Sequence, residues 1–175
     1  MESVDKLPDQ LQENLRVVFV GTAAGKRSAD EGHYYAHPGN RFWSTIHEVG
    51  ITERRYEPEE FRVLLALGVG FTDLCKSGAG MDHQIVNDPI DISAFRAKMR
   101  RYRPKAIAFT SKKAASLFYE RPTKAIALGR QRPSGENFPV VFVLASPSGA
   151  ASSHWTVKPW QELALWIKEK QPQPG

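Results

Sequence analysis

At 175 residues, with 41% hydrophobic residues and a formal charge of +5, the chain can bury a core of its own and is basic enough to attract polyanions. No apolar run approaches the ~20 residues of a membrane helix, and a single cysteine, Cys75, excludes an internal disulfide and cysteine-rich zinc sites. The opening MESVDKLPDQLQEN has no apolar leader segment, so a cytoplasmic protein without a membrane partner is expected; a monomer is expected as well.

Residues 1–14 read as a flexible or helical extension. Arg16-Val17-Val18-Phe19-Val20 then has the β-branched and aromatic character of a buried strand. Gly21 and Gly25 follow it, where a chain leaving a parallel strand turns sharply and can approach a ligand closely. After a long loop, helices are predicted over 40–49 and 57–67, a short strand over 69–74 and a Gly- and Asp-containing loop over 75–89. Ser93 is the expected cap of a helix running through Tyr102, which Pro104 stops.

Residues 105–110 form a central-strand candidate, and Ser111 can cap the helix carrying Ala114, Ala115 and Phe118. Residues 140–144 are the last strong strand, and Pro159 opens a C-terminal helix whose stripe is Leu163, Trp166 and Ile167. Strands alternating with helices predict an α/β fold: three layers, α/β/α, around a mainly parallel sheet of about four strands. No repeat or linker interrupts the chain, so a single domain over 1–175 is expected.

Three segments point to a family. Gly21-Thr22-Ala23-Ala24-Gly25 leads to Gly32-His33-Tyr34-Tyr35-Ala36-His37-Pro38-Gly39-Asn40-Arg41-Phe42-Trp43; Gly70-Phe71-Thr72-Asp73-Leu74 comes next; Phe142-Val143-Leu144-Ala145-Ser146-Pro147-Ser148-Gly149 comes last. Their content, order and separation resemble the mismatch-specific uracil/thymine-DNA glycosylases, a branch of the uracil-DNA glycosylase superfamily. The resemblance implies the three-layer α/β/α fold, a uracil-containing DNA partner, no cofactor or metal, and hydrolysis of the bond between base and deoxyribose.

By that resemblance, Gly21, Thr22, Ala23, Ala24, Tyr35, Asn40 and Asp73 line the base pocket, with Tyr35 stacking on the flipped base. Asn40 caps the following helix or braces the pocket, and Phe42 and Trp43 enter the core. Ser146, Pro147, Ser148, Gly149 and Ala150 are expected along the DNA-facing edge. His33 and His37 could contact phosphates or orient the loop.

Two departures matter. Most of the family carries Ile-Asn-Pro where this chain has Thr22-Ala23-Ala24, and a methyl group cannot position the attacking water as that Asn does. The carboxylates of Asp73 and Asp82 are the expected substitutes, Asp82 for catalysis and Asp73 for base recognition or shared catalysis, unless both simply cap turns. Asp30 and Glu31 rank below them. The family also follows the last motif with a bulky apolar wedge, which is Ala150 here; His154 and Trp155 are the nearby candidates, Trp155 reading rather as core or hinge packing.

The cations cluster in residues 98–105 and at Lys112, Lys113, Arg121, Lys124, Arg130 and Arg132, as a phosphate-binding surface or a solvated helix face. No lysine is clearly placed as a Schiff-base nucleophile, Lys26 being the only close candidate, so a monofunctional enzyme is expected. Other bases, hypoxanthine or mismatched thymine, stay open as targets, as does a uracil- or abasic-DNA binding protein with little turnover. A nucleotide-binding module is weaker, because Gly25-Lys26-Arg27 lacks the Gly-Lys-(Ser/Thr) of a P-loop.

Overall fold

The computed structural model describes residues 8–24, 32, 34–79 and 91–169, with backbone only at 23, 24 and 76–79. Its strands are β1 (Val17–Ala24), β2 (Val69–Ala79), β3 (Ala106–Phe109), β4 (Gly129–Arg130) and β5 (Val140–Val143). Their order in the sheet is β2-β1-β3-β5-β4, parallel throughout except for the antiparallel pairing of β4 with β5. The expected α/β fold is present with a fifth strand, a two-residue edge too short to carry an alternating pattern.

Both faces of the sheet are covered, which is why its strands read as continuous apolar runs. Alternate residues go to opposite layers. Val17, Phe19, Phe71, Ala108 and Phe142 pack beneath α1 (Phe42–Glu48), the 3-10 helix Pro58–Leu67 and α4 (Lys158–Glu169), against Phe42, Ile46, Phe61, Leu64, Trp160 and Leu163. Val18, Val20, Ile107, Phe109, Val141 and Val143 face α2 (Ile92–Tyr102) and α3 (Lys112–Tyr119), against Phe95, Met99, Ala114, Ala115 and Phe118.

Several local expectations change in the folded chain. Asp91, not Ser93, caps α2: its carboxylate accepts the Ala94 N–H at 2.9 Å, leaving Ser93 inside the first turn. Ser111 caps α3 as expected, accepting from Ala114 at 3.0 Å. The segment Pro58–Leu67 winds as a 3-10 helix, opened by a bond from the Glu57 N–H to Glu60 Oε1 and closed by Gly68 at φ 85°. β2 continues through residues 75–79, assigned from sequence to a loop, because β1 runs on beside it to Ala24, with a register shift between Ala23 and Ala24.

Residues 8–14 lie along the sheet. Gln10 exchanges two 2.9 Å backbone bonds with Phe71, and the Asp9 carboxylate accepts from the Thr72 hydroxyl at 2.5 Å and Lys98 Nζ at 2.6 Å.

Candidate functional site

In a sheet of this order the strand sequence reverses between β1 and β3, and ligands of open α/β sheets bind outside the carboxyl ends at such a point. The three predicted segments converge there. Gly21 near the end of β1 pairs in register with Asp73 on β2, and Thr110 follows β3 directly, its N–H bonded to the Val20 carbonyl at 3.0 Å. Asp73 is 6% exposed, and its Oδ1 lies 2.5 Å from the position a Cβ on Gly21 would take; Thr110 Oγ1 lies 3.8 Å from the same point. A glycine is therefore required by close approach of a carboxylate rather than by a turn.

The adjacent tyrosines part company. Tyr34 is core: it stacks on Phe71 at 5.0 Å, and its hydroxyl donates to the Pro8 carbonyl at 2.9 Å. Tyr35, half-buried, adopts φ 52°, a left-handed conformation uncommon for a bulky side chain and sustained only where surrounding contacts hold it. Those contacts are visible. One ring face stacks on Phe42 at 4.2 Å and 19°, and the hydroxyl donates to Thr110 Oγ1 at 3.2 Å. Burial, with the negative field of Asp73 adding to it, raises the Tyr35 hydroxyl pKa far above the ordinary tyrosine value, so the ring stays neutral.

The loop after Tyr35 is built for contact with the loop after β5. His37 Nδ1 accepts the Gly39 N–H at 3.0 Å, Asn40 Oδ1 accepts the Phe42 N–H at 2.9 Å at the head of α1, and the Arg41 N–H donates to the Pro147 carbonyl at 2.7 Å. His37 thus braces the turn, and Asn40 supports the first helical N–H. A Cβ on Gly149 would lie 3.1 Å from the Gly39 carbonyl oxygen, so the two loops meet backbone to backbone.

Ser146 and Ser148 shape this edge. Ser146 Oγ accepts from the Ser148 N–H, and Ser148 Oγ from the Ala150 N–H, both at 3.3 Å, opening the 3-10 helix Gly149–His154. Gly149, Ala150 and His154 are exposed. Trp155 is held 5.9 Å from Trp160 and beneath the Arg41 guanidinium at 5.3 Å, which makes it packing, as its sequence suggested, and leaves His154 as the exposed candidate.

Other sequence candidates separate from this cluster or fall outside it. Thr22 and Cys75 are buried, while Ala23 and Ala24 complete the β1 backbone at the same edge. Asp82, Asp30, Glu31, His33 and Lys26 lie outside the described residues. The end of the basic run, residues 102–105, lies at the far edge of the sheet, since the Tyr102 carbonyl accepts the Asn14 N–H and Lys105 donates its N–H to the Leu15 carbonyl, just ahead of β1, whereas Lys98 reaches Asp9 beside Thr72. Lys112 and Lys113 open α3 shortly after Thr110 in the chain.

Thr110 was missed from sequence. It reads there as the last residue of a strand, and nothing local signals a partner 75 positions away.

The arrangement offers a carboxylate, a hydroxyl pair and an aromatic ring at a ligand-binding edge. Comparison with known proteins bears on the fold and the family. A Methanosarcina acetivorans protein provisionally named a uracil DNA glycosylase, determined by solution NMR, has the same fold, with a TM-score of 0.63 over 94% of this chain and 97% of that one at 20% identity. Residues 8–168 match the Uracil DNA glycosylase superfamily, and the chain therefore belongs to that superfamily.

Proposed function

We propose that the protein is a monofunctional DNA glycosylase of the mismatch-specific uracil/thymine branch, removing uracil from DNA and leaving an abasic site. The observation that carries this reading is the convergence of Gly21, Asp73, Tyr35 and Thr110 at the carboxyl edge, beside the joined Gly39 and Gly149 loops.

The target base must first leave the duplex stack, at a cost of a few kcal/mol that is least for damaged or mismatched pairs. The face of Tyr35 opposite Phe42 receives the base. Asp73 accepts an N–H from the edge of the neutral base; its own negative charge repels the leaving anion, so its part is recognition more than leaving-group stabilisation. In the chemical step a water oxygen bonds to the sugar's anomeric carbon as the glycosidic C–N bond breaks. The bonding pair leaves with the base, and the water's proton passes to a general base.

Ala23 offers no hydrogen-bonding group for that water. Asp82 takes this part, orienting the water and stabilising positive charge on the sugar. Single-turnover cleavage of a uracil-containing duplex by wild type, Asp73→Asn and Asp82→Ala tests the assignment. Both variants should lose most of the rate; full activity in both would remove the carboxylates from the mechanism. Duplexes holding hypoxanthine or thymine opposite guanine rank the base preference.

Ala23 also favours one second reading, a protein that binds uracil or abasic DNA with little turnover. Tight binding by the wild type without cleavage would establish it in place of the first.

A further inference from the structure

Residues 92–119 hold eight of the 24 Lys and Arg and none of the 19 Asp and Glu, so this stretch carries +8 while the remainder of the chain carries −3. Those residues are α2, β3 and α3, and the two helices cover the same face of the sheet, joined by Phe95 against Phe118 at 5.7 Å. Asp91 and Glu120 cap the ends of these helices and Asp9 pairs with Lys98, which offsets part of that charge and leaves the layer with a surplus of cations.

Within that layer the cations divide by use. Arg96 is occupied: Nη1 donates to the Ser134 carbonyl at 3.3 Å, and its guanidinium lies 4.4 Å over Phe118. Lys98 is paired with Asp9 at 2.6 Å. Arg100, Arg101 and Arg103 are exposed toward the far edge, Arg100 and Arg101 resting over the Phe138 and Tyr102 rings at 5.7 and 5.3 Å, and Lys112 and Lys113 are exposed at the site edge. The eleven residues of α2 span about 16 Å, against one phosphate per about 3.4 Å along each strand of a duplex, a length that matches several phosphates.

We infer that the α2–α3 layer is a second DNA-binding surface, which holds lesion-free duplex by its backbone while the base site is empty. The choice of DNA as the polyanion rests on the glycosylase reading; the surface itself rests on the segregation of charge. Exposed Arg side chains without an acidic partner in the same stretch are suited to phosphate contacts, which carry no sequence information and keep a protein on DNA between targets.

The test is equilibrium binding of lesion-free duplex between about 50 and 200 mM salt by the wild type and by Arg100→Gln/Arg101→Gln/Arg103→Asn, Asn being chosen because Arg103 has φ 50°. The variant should bind at least ten-fold more weakly at low salt, and the slope of log affinity against log salt should fall by about one for each phosphate that is no longer neutralised. Its single-turnover cleavage at saturating enzyme should match the wild type. Should the triple variant be poorly folded, Arg100→Glu alone reads the same slope from one exposed helical position.

An unchanged slope overturns the inference. So does retention of duplex binding together with loss of binding to phosphatidylserine vesicles, which would make the layer a membrane-facing surface. A lowered slope in a protein that cleaves no deaminated base leaves the surface standing and removes the glycosylase reading instead.

Discussion

The Asp73 carboxylate fills the space that a Gly21 side chain would need, with Oδ1 2.5 Å from the Cβ position. The two residues pair in register across β1 and β2, so this contact is set by the sheet rather than by a flexible loop. It makes Gly21 a sensitive probe of whether the carboxylate's position matters.

Gly21→Ala should push Asp73 away from Thr110 and Tyr35. The expected result is at least a ten-fold loss of uracil cleavage in single-turnover assays, with a destabilisation of about 1–3 kcal/mol from overpacking, read by urea unfolding. A variant with normal cleavage would show that Asp73 need not sit where it does.

Thr110→Val removes the acceptor of the Tyr35 hydroxyl and leaves a polar group unpaired beside a carboxylate. Stability should drop by about 1–3 kcal/mol, and Thr110→Ser, which restores the oxygen, should recover most of it. Equal losses in the two variants would point to the methyl group of Thr110 instead.

The tyrosine hydroxyls give an alkaline dependence. Tyr35, and to a smaller degree Tyr119, have their pKa raised in the folded state, chiefly by burial, so the folded protein holds protons that the unfolded chain releases above pH 10. The stability they confer is intact below that pH and declines as pH rises past it. In a spectrophotometric titration, tyrosinate from Tyr35 should appear only as the protein unfolds; Tyr35→Phe should shrink that late signal and soften the alkaline loss.

Asp9 ties the N-terminal segment to Thr72, next to Asp73, and to Lys98 on α2. Asp9→Ala should cost about 1–2 kcal/mol, since it removes two hydrogen bonds to a carboxylate that is only partly enclosed. Asp9→Asn keeps an acceptor for Thr72 and should lose less. The order of the two midpoints in urea decides whether the hydroxyl or the ion pair dominates.

His154 is the exposed side chain beyond Ala150 on the loop after β5, whereas Trp155 is held in packing. If His154 fills the gap left by a flipped base, His154→Ala should slow cleavage of duplex substrate several-fold and leave single-stranded substrate almost unaffected. Equal effects on both would assign it to backbone contact.

The sequence by itself determined the alternation of strands and helices, because apolar periodicity and caps are local: Val17 to Val20, Ser111 and Pro159 each announce an element within a few residues. The motif around Tyr35 and the absence of a hydrogen-bonding group at Ala23 were equally plain. Only the tertiary structure decided what these meet. The edge strand β4 has two residues and draws its existence from β5. The register of Gly21 against Asp73, the reach of Tyr35 to Thr110 and the placing of residues 102–105 away from the site all depend on which strands become neighbours and on which edge each loop emerges. Those are long-range choices made by burying both faces of one sheet, and no short stretch of chain encodes them.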